Sequence, residues 1–169
     1  RNVADLGGCF SLMFIGLDGF KPVNAAFGHH LCDRLLREVA LRMRQELRCQ
    51  DTLARIGGDE FVMLVRLAEA NDAPQVAARQ VSLLSRSFQV DEHQLQISAS
   101  IGIALYPGNG VTAEELLMNA DAAMYHAKGA GKNGYSFFDV SMNTNARKQL
   151  QLLQDLRQAL AQQQFSLHY

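Results

Sequence analysis

The apolar residues of this chain follow two spacings, which predict a mixture of strands and helices. Residues 9–17 are almost continuously apolar and end at Asp18-Gly19, as expected of a buried strand. Between Leu31 and Arg48 apolar residues recur every four positions, which indicates an amphipathic helix with a basic outer face. Residues 52–56 and 60–65 are then predicted to pair as a β-hairpin around a Gly57-Gly58-Asp59 turn.

The second half of the chain predicts four further elements. A helix is expected from Asn71 to about Phe88, and residues 94–105 are expected to form one long strand. Thr112 and Glu115 have the spacing of a capping box, so a third helix is predicted from there to about Lys128. Residues 135–138 are predicted to form a last short strand. The order β-α-β-β-α-β-α-β predicts an α+β domain with a mixed or antiparallel sheet and helices on its faces.

Composition and charge narrow the function classes. Hydrophobic residues make up 48% of the 169 residues and charged residues 20%, which excludes a disordered chain. The net charge of −1, from 16 basic and 17 acidic residues, argues against a general nucleic-acid binder. Three cysteines without metal-type spacing indicate reduced thiols and a cytoplasmic setting. The chain has no apolar run of membrane-spanning length and no signal peptide, and we expect it to be part of a longer protein whose upstream region carries any membrane anchor.

Two neighbouring segments are candidates for binding a charged ligand. The glycines of the predicted hairpin tip allow close approach of a ligand, and the adjacent Asp59 and Glu60 are suited to a divalent cation. An ordinary polar turn explains the same residues about equally well. The exit of the first strand, from Asp18 to Lys21, has the composition of a phosphate or metal corner, although a solvated loop is the simpler interpretation of that segment alone.

Two further segments with basic residues and one histidine pair are the remaining candidates for ligand binding. Lys128 and Lys132 flank a glycine-rich break and are suited to phosphate, although basic residues also complement the dipole at a helix end. The segment lacks the spacing of a Walker A loop. Arg48 and Asp51 fit either a ligand site or a weak surface ion pair. His29-His30 has no matching ligand cluster, so a zinc site is not predicted.

Taken together, these segments resemble the GGDEF domain of the diguanylate cyclase family. The resemblance covers residues 9–138 and rests on motifs that occur in the family's order. They are 14–21, Asn24, Gly28-His29, Asp33, 55–61, 98–104 and 119–128. This likeness implies a nucleotidyl-cyclase-like palm with a ferredoxin-like βαββαβ core and a mostly antiparallel central sheet flanked by helices. It also implies that two molecules of GTP are joined into cyclic di-GMP.

The resemblance implies roles for individual residues. Asn24 and Asp33 match positions that hydrogen-bond guanine, and Gly58 matches the glycine against which the nucleotide lies. Asp59 and Glu60 match the catalytic acids, which together with the Leu17 carbonyl hold Mg²⁺ or Mn²⁺. The phosphate contacts match the backbone of Gly19 and the residues Phe20, Lys21, Lys128 and Lys132.

Regulation and assembly are implied in the same way. Arg48 and Asp51 match the family's RxxD inhibitory site for cyclic di-GMP, with Arg79 as a candidate supporting residue. Catalysis in the family uses an antiparallel homodimer in which each subunit holds one GTP.

Three positions depart from the family pattern. Gly16 stands where the family usually has its first metal-binding Asp, Ala25 replaces an Asp, and Cys32 replaces a Gly. The loss at Gly16 matters most, because a missing charge contact in the transition state costs about 3 kcal/mol, or roughly a hundredfold in rate. Asp18 lies two residues farther along the same strand face, where partial rescue is conceivable.

The end of the chain indicates a tandem organisation. Residues 156–160 and 164–169 resemble the entry to an EAL domain, the cyclic di-GMP phosphodiesterase family. We therefore expect a GGDEF-like domain at 1–140, a connecting helix at 141–163 and the start of a truncated EAL-like domain at 164–169.

Two functional hypotheses follow. One is a working but slow diguanylate cyclase, which the intact 57–61 signature favours. The other is a catalytically inactive module that binds GTP or cyclic di-GMP and controls an attached EAL phosphodiesterase, which Gly16 and the EAL-like tail favour. A dimerisation module without a ligand fits the retained binding positions less well.

Overall fold

The computed structural model of the protein describes residues 9–142. Contacts within the chain divide it between Phe138 and Asp139, and the fold below is that of the first unit. The predicted connecting helix lies outside the described residues except for its first two positions, and the predicted EAL-like start lies wholly outside them. The elements are β1 Cys9–Asp18, α1 Phe20–Arg44, β2 Thr52–Gly57, β3 Glu60–Leu67, α2 Ala73–Leu84, β4 Phe88–Val90, β5 His93–Leu95, β6 Ser98–Tyr106, α3 Ala113–Gly129 and β7 Gly134–Phe137.

A five-stranded sheet carries the domain. Its strand order is β2-β3-β1-β6-β7; β1 is antiparallel to both of its neighbours, β2 and β3 form an antiparallel hairpin, and β7 is parallel to β6. Strands β1, β2, β3 and β6 with α1 and α2 form a βαββαβ core of ferredoxin-like order. The predicted α+β fold with a mostly antiparallel sheet is confirmed.

The central strand β1 is buried on both faces. Its residues Met13, Ile15 and Leu17 belong to the larger core with α1 and α2, whereas Phe10, Leu12 and Phe14 belong to a second core with α3. Alternation along a strand places neighbouring residues on opposite faces. This explains why β1 is continuously apolar while β3 alternates between buried and half-buried residues.

The first helix begins eleven residues earlier than its apolar spacing predicts. It starts at Phe20, directly after the left-handed Gly19, and leaves helical geometry at Gly28, where φ is +84°. The segment before Gly28 is mostly exposed and lacks the four-residue apolar stripe of 31–47, so its periodicity could not reveal it. This earlier start matters because it places a helix N-terminus at the exit of β1.

The stretch between α2 and β6 is also organised differently from the prediction. The second helix ends at Leu84 instead of near Phe88, and the predicted long strand is divided. Phe88 and Val90 point into the core and pair with 93–95 in a separate two-stranded hairpin. Asp91 at its turn adopts a φ of +54°. Phe88 also lies under the Arg42 guanidinium, 3.6 Å from its ring centroid, a tertiary contact that local spacing cannot show.

Strand β6 and helix α3 approach each other closely at Gly102. A Cβ atom built at this position would lie 2.0 Å from the Ala120 carbonyl oxygen and 2.1 Å from the Met124 amide nitrogen. Both atoms belong to the helix backbone, which cannot move aside as a side chain can. The absence of a side chain at Gly102 therefore sets how closely α3 lies against the sheet.

We expect Gly102→Ala to destabilise the domain by at least about 3 kcal/mol, because overpacking against backbone is not relieved by a rotamer change. The matched control is Gly108→Ala, where the new Cβ would meet no atom within 4 Å. Urea unfolding followed by circular dichroism measures both variants. Equal stability of the two would contradict the close approach of β6 and α3.

Candidate functional site

The exit of β1 and the tip of the β2–β3 hairpin lie side by side. The Leu17 amide donates to the Asp59 carbonyl oxygen at 3.0 Å, and Gly16 is the register partner of Glu60. The tip is closed by Arg55, whose Nε donates to the Gly58 carbonyl at 3.0 Å. The sheet register thus places the two acids of the 57–61 signature next to the strand exit.

The start of α1 completes one edge of this region. Gly19 is the N-cap residue, with φ +80°, and no side chain caps the helix. The first amides of α1 therefore remain available to an anion, as is usual where a helix begins. The Phe20 side chain is buried in the core, so only its backbone can contribute, whereas the Lys21 side chain is exposed.

Asn24 and Asp33 both lie on α1, on opposite sides of the break at Gly28. The Asn24 Oδ1 atom is buried and has no hydrogen-bond partner, which is unusual for a buried acceptor. Asp33 is exposed at a cleft of about 330 Å³ between α1 and the β2–β3 hairpin. The cleft is lined by Asp33, Leu36, Arg37, Ala40, Arg55 and Phe61.

A partly buried ion pair joins the end of β1 to the end of α3. The Lys128 Nζ donates to Asp18 Oδ1 at 2.9 Å and to the Leu17 carbonyl at 3.3 Å. Asp18 also accepts from the Ser100 and Ser98 hydroxyls at 2.8 and 2.9 Å and from the Asn133 amide at 3.1 Å. Burial alone would raise the pKa of Asp18, but the hydrogen bonds from Lys128, Asn133, Ser100 and Ser98 together lower it. Asp18 is therefore held ionised by neighbours that already occupy its oxygens.

Lys128 also fills the space beside Gly16. A Cβ at Gly16 would lie 2.9 Å from the Lys128 Cε and 3.4 Å from its Nζ, and 2.8 Å from the Met124 Sδ. Lys132 is in a different situation: it is exposed, adopts a φ of +62°, and its amide donates to the Ala127 carbonyl at 3.1 Å. The two predicted phosphate-binding lysines are thus in unequal environments.

Negative charge accumulates around Glu60. Burial, followed by the charges of Asp121 and Asp59, raises the pKa of Glu60, and the Lys128 ammonium offsets part of that rise. A half-buried carboxyl next to two other acids favours either a proton or a cation. Asp59 and Glu60 are therefore able to hold a hard divalent ion together with a polyphosphate ligand. Among residues 9–142, no group of three or more His, Cys, Asp or Glu side chains is arranged to hold a metal by itself.

A second cavity, of about 210 Å³, lies near the other end of α1 and contains the predicted inhibitory residues. Asp51 Oδ2 accepts from the Arg48 amide at 3.0 Å, and its Oδ1 accepts from the Arg66 amide at 3.1 Å. Arg79 reaches the same cavity and pairs with Glu46 at 3.5 Å. The lining residues are Glu46, Arg48, Asp51, Val65, Arg66, Leu67, Ala68, Asp72, Gln75, Val76, Arg79 and Gln80.

Several neighbours of the site were not singled out from the sequence. Ser98 and Ser100 face Asp18 because they lie two residues apart at the start of β6, opposite the end of β1. Both serines lie in the 98–104 motif, and their S-x-S spacing on a predicted strand indicates a shared face. Asp121 and Met124 lie in the 119–128 motif, but their roles could not be predicted, because only the packing of α3 on the sheet brings them to Glu60 and Gly16.

Comparison with known proteins identifies the family. The model of the family described as "Diguanylate cyclase, GGDEF domain" matches residues 1–134. The bifunctional diguanylate cyclase/cyclic di-GMP phosphodiesterase MucR of Pseudomonas aeruginosa is 59% identical over 160 residues, which are 95% of this chain and 23% of that protein. The cyclic di-GMP phosphodiesterase NbdA of the same organism is 38% identical over 159 residues, 94% of this chain and 20% of its own length. This chain thus spans about a fifth to a quarter of these two relatives.

A solved structure agrees with the family match. The GGDEF domain of TpbB, also called YfiN, from Pseudomonas aeruginosa superposes with a TM-score of 0.82 at 32% identity. The superposition covers 87% of this chain and 88% of that one. The resemblance found in the motifs is confirmed.

The two carboxyls near the strand exit should respond to pH in opposite directions. Asp18→Asn should lower the free energy of unfolding at pH 7 by about 2 kcal/mol, because charged hydrogen bonds are lost. The lowered pKa of Asp18 stabilises the folded protein at pH values above the unfolded pKa of roughly 3.9. The deficit of Asp18→Asn should therefore shrink as the pH falls below that value.

Glu60→Gln should instead stabilise the folded protein at pH 7, because the raised pKa of Glu60 shows that its ionised form is unfavourable in the folded state. This gain should vanish as the pH falls towards the unfolded pKa of roughly 4.3.

Urea unfolding of both isosteric variants and the parent at pH 7, 5, 4 and 3 measures these differences. A stabilising Asp18→Asn, or a destabilising Glu60→Gln, at pH 7 would show that the charge distribution described above is wrong.

Proposed function

The chain belongs to the GGDEF family of diguanylate cyclases, and from this premise we propose that the domain binds GTP and joins two GTP molecules into cyclic di-GMP at a low rate. The observation that carries this proposal is the juxtaposition of the 57–61 hairpin tip with the exit of β1 through the Leu17–Asp59 hydrogen bond. The resulting proximity of acids, helix N-terminal amides and lysines supports binding of a nucleoside triphosphate.

Guanine recognition is assigned to Asn24 and Asp33. The buried Asn24 Oδ1 lacks a partner, and a base N–H group would satisfy it. An ionised Asp33 accepts the paired N1 and N2 donors that guanine has and adenine lacks. The Asp33 cleft lies beside Arg55, which holds Gly58, so the base and the hairpin tip would be in contact.

The phosphates are assigned to the start of α1 and to the lysines. The uncapped amides at Phe20 and Lys21 face outward at a helix N-terminus, which favours anions. The exposed Lys21 and Lys132 side chains add mobile positive charge, and Lys128 adds a fixed one. The left-handed Gly58, with φ +43°, leaves the hairpin tip bare enough for the nucleotide to approach.

Mg²⁺ or Mn²⁺ is proposed to be held by Asp59 and Glu60 together with the triphosphate, since magnesium is usually bound by one or two carboxylates and phosphate oxygens. When bound, the ion neutralises phosphate charge as it develops. The Leu17 carbonyl, which the family resemblance adds to the ligands, instead accepts a hydrogen bond from Lys128. The acids therefore fit the ion, whereas the carbonyl is already engaged.

In the reaction, the 3′-oxygen of one GTP attacks the α-phosphorus of the other. An O3′–P bond forms, the bond to pyrophosphate breaks, and the hydroxyl proton passes to a carboxylate of the Asp59–Glu60 pair. Two sites must face each other for this step, so an antiparallel homodimer is proposed as the catalytic form.

Arg48 and Asp51 are proposed as an inhibitory site for cyclic di-GMP, with Arg79 as a supporting residue. Both carboxylate oxygens of Asp51 accept hydrogen bonds from backbone amides, so the role proposed for Asp51 is to stabilise the loop after α1. The exposed Arg48 and Arg79 line a common cavity in which guanidinium groups can pair with phosphate or a guanine edge.

The larger organisation is also a proposal. The GGDEF-like domain is placed at 1–140, followed by a connecting helix at 141–163 and an EAL-like domain from 164, in keeping with the name of MucR. No helix among residues 9–142 has the length and apolar character to cross a membrane. Cys9, Cys32 and Cys49, all in the described range, are unpaired thiols, which supports the proposed cytoplasmic location.

The second candidate is a regulatory module that binds GTP or cyclic di-GMP without turnover and controls the attached EAL domain. Gly16 favours it, because the strand exit lacks the carboxylate usual in the family and Lys128 fills the space beside it. The relative NbdA carries a phosphodiesterase name, which fits a GGDEF domain in a supporting role.

Incubation with GTP and Mg²⁺ or Mn²⁺, followed by nucleotide chromatography, distinguishes the two candidates. We expect slow formation of cyclic di-GMP, lowered at least about a hundredfold by Asp59→Ala because a charge contact is removed. GTP binding by calorimetry should weaken at least tenfold in Asp33→Asn, which retains the shape but not the charge. Binding without product assigns the regulatory role, and absence of binding of both GTP and cyclic di-GMP rules out both candidates.

The inhibitory site has its own test. Arg48→Ala should weaken cyclic di-GMP binding by about tenfold or more, since a charged hydrogen bond contributes about 1.5–3 kcal/mol. Arg44→Ala, on the exposed end of α1 and outside this cavity, is the matched control. Equal affinity of the two variants in calorimetry would show that the product does not use this cavity.

A further inference from the structure

The Lys128 ammonium stands at the corner where β1 leaves the sheet. It donates to the Leu17 carbonyl at 3.3 Å and to Asp18 Oδ1 at 2.9 Å, and its side chain is 29% exposed. Its two hydrogen-bond acceptors, a backbone carbonyl and a carboxylate, are oxygen ligands of the kind that also bind magnesium. The ammonium thus has the surroundings of a small cation site.

Gly16 makes room for this arrangement. The position that a Gly16 side chain would occupy is filled by the Lys128 Cε, with Nζ only 3.4 Å from the position of the Cβ. A carboxylate at residue 16 would compete with Asp18 for the ammonium and would displace the Met124 thioether as well. With glycine at this position the lysine stem lies flat against the strand.

Asp18 does not replace the missing carboxylate. Its side chain is 5% exposed and its oxygens accept from Lys128, Ser98, Ser100 and the Asn133 amide. A metal ion at this corner would need Asp18 to lose bonds that a single ion does not restore. The rescue of Gly16 by Asp18, conceivable from the sequence, is therefore not supported by the geometry.

We propose that the Lys128 ammonium takes the place of a metal ion beside Gly16 and the Leu17 carbonyl. The nucleotide complex of this domain then holds one divalent ion, the one proposed at Asp59 and Glu60. The inference rests on the proposed GTP site, which supplies the phosphates that the ammonium faces. A tethered single charge neutralises less than a divalent ion does, but it is present before the nucleotide arrives. Binding of the triphosphate should accordingly depend less on metal than on Lys128.

Counting of bound Mn²⁺ by electron paramagnetic resonance tests the proposal directly. The probe is 3′-deoxy-GTP, which lacks the attacking hydroxyl and therefore forms a stable complex. We expect one Mn²⁺ per bound nucleotide in the parent and two in the Gly16→Asp/Lys128→Ala variant, where the shortened side chain at residue 128 leaves room for the new carboxylate and frees the Leu17 carbonyl. Two ions in the parent, or one in the double variant, would overturn the proposal while leaving nucleotide binding intact.

Calorimetry in EDTA supplies the second measurement. The parent should bind 3′-deoxy-GTP without metal, and Lys128→Met should weaken that binding at least tenfold, whereas Arg86→Gln, an exposed charge at the end of α2, should leave it unchanged. If Lys128→Met does not fold because Asp18 is left unpaired, Asp18→Asn/Lys128→Met removes both partners and should show the same tenfold loss. Equal affinity in these variants contradicts the role of Lys128. Failure of the parent to bind nucleotide under any condition removes the proposed function and this inference together.

Discussion

The interaction on which the site depends is the partly buried ion pair between Asp18 and Lys128. It joins residues 110 positions apart, one at the end of the central strand and one at the end of α3. Removal of a carboxylate from water is costly unless each oxygen gains a partner, and here the serine hydroxyls of β6 and the Asn133 amide provide the remaining bonds. The contact therefore fixes β1, β6, α3 and the loop before β7 relative to one another at the edge where the nucleotide would bind.

The same contact explains why the site has two electrostatic halves. On one side, Asp18 is held ionised, its charge is matched by Lys128, and its oxygens already accept hydrogen bonds from Ser98, Ser100 and the Asn133 amide. On the other, Glu60 lies near Asp59 and Asp121 with only a partial contribution from the same lysine, and its pKa is raised by burial first and by those acids second. Unpaired negative charge, which favours a bound cation, is thus concentrated at the hairpin tip, whereas the negative charge at the strand exit is largely paired with Lys128. The distribution follows from one lysine being shared between Asp18 and Glu60.

The sequence was informative where local spacing carries the structure. The apolar run of β1, the Gly57-Gly58-Asp59 turn and the Thr112–Glu115 capping box were each predicted and are observed, because each depends on residues within a few positions of one another. The start of α1 and the β4–β5 hairpin were missed because Gly28 interrupts the first and tertiary packing of Phe88 defines the second. In the site, the motif order could indicate the acids and lysines, but it could not show that Lys128 is bonded to Asp18. That contact depends on how closely α3 lies on the sheet, which Gly102 determines through a backbone approach.

Gly16 and Lys128 are best understood as one feature. Glycine at residue 16 removes a negative charge and a side-chain volume at once, and the lysine stem occupies that volume while its ammonium satisfies the nearby carbonyl. Without the lysine, glycine at residue 16 would leave an unfilled space beside a buried carboxylate. Without the glycine, a bulkier residue 16 would force the lysine away from Leu17. A site with this arrangement exchanges a removable divalent ion for a permanent single charge. A permanent single charge supports nucleotide binding, but it stabilises the greater charge of a phosphoryl-transfer transition state less than a divalent ion does. For this physical reason the same site is compatible with either a slow cyclase or a nucleotide sensor.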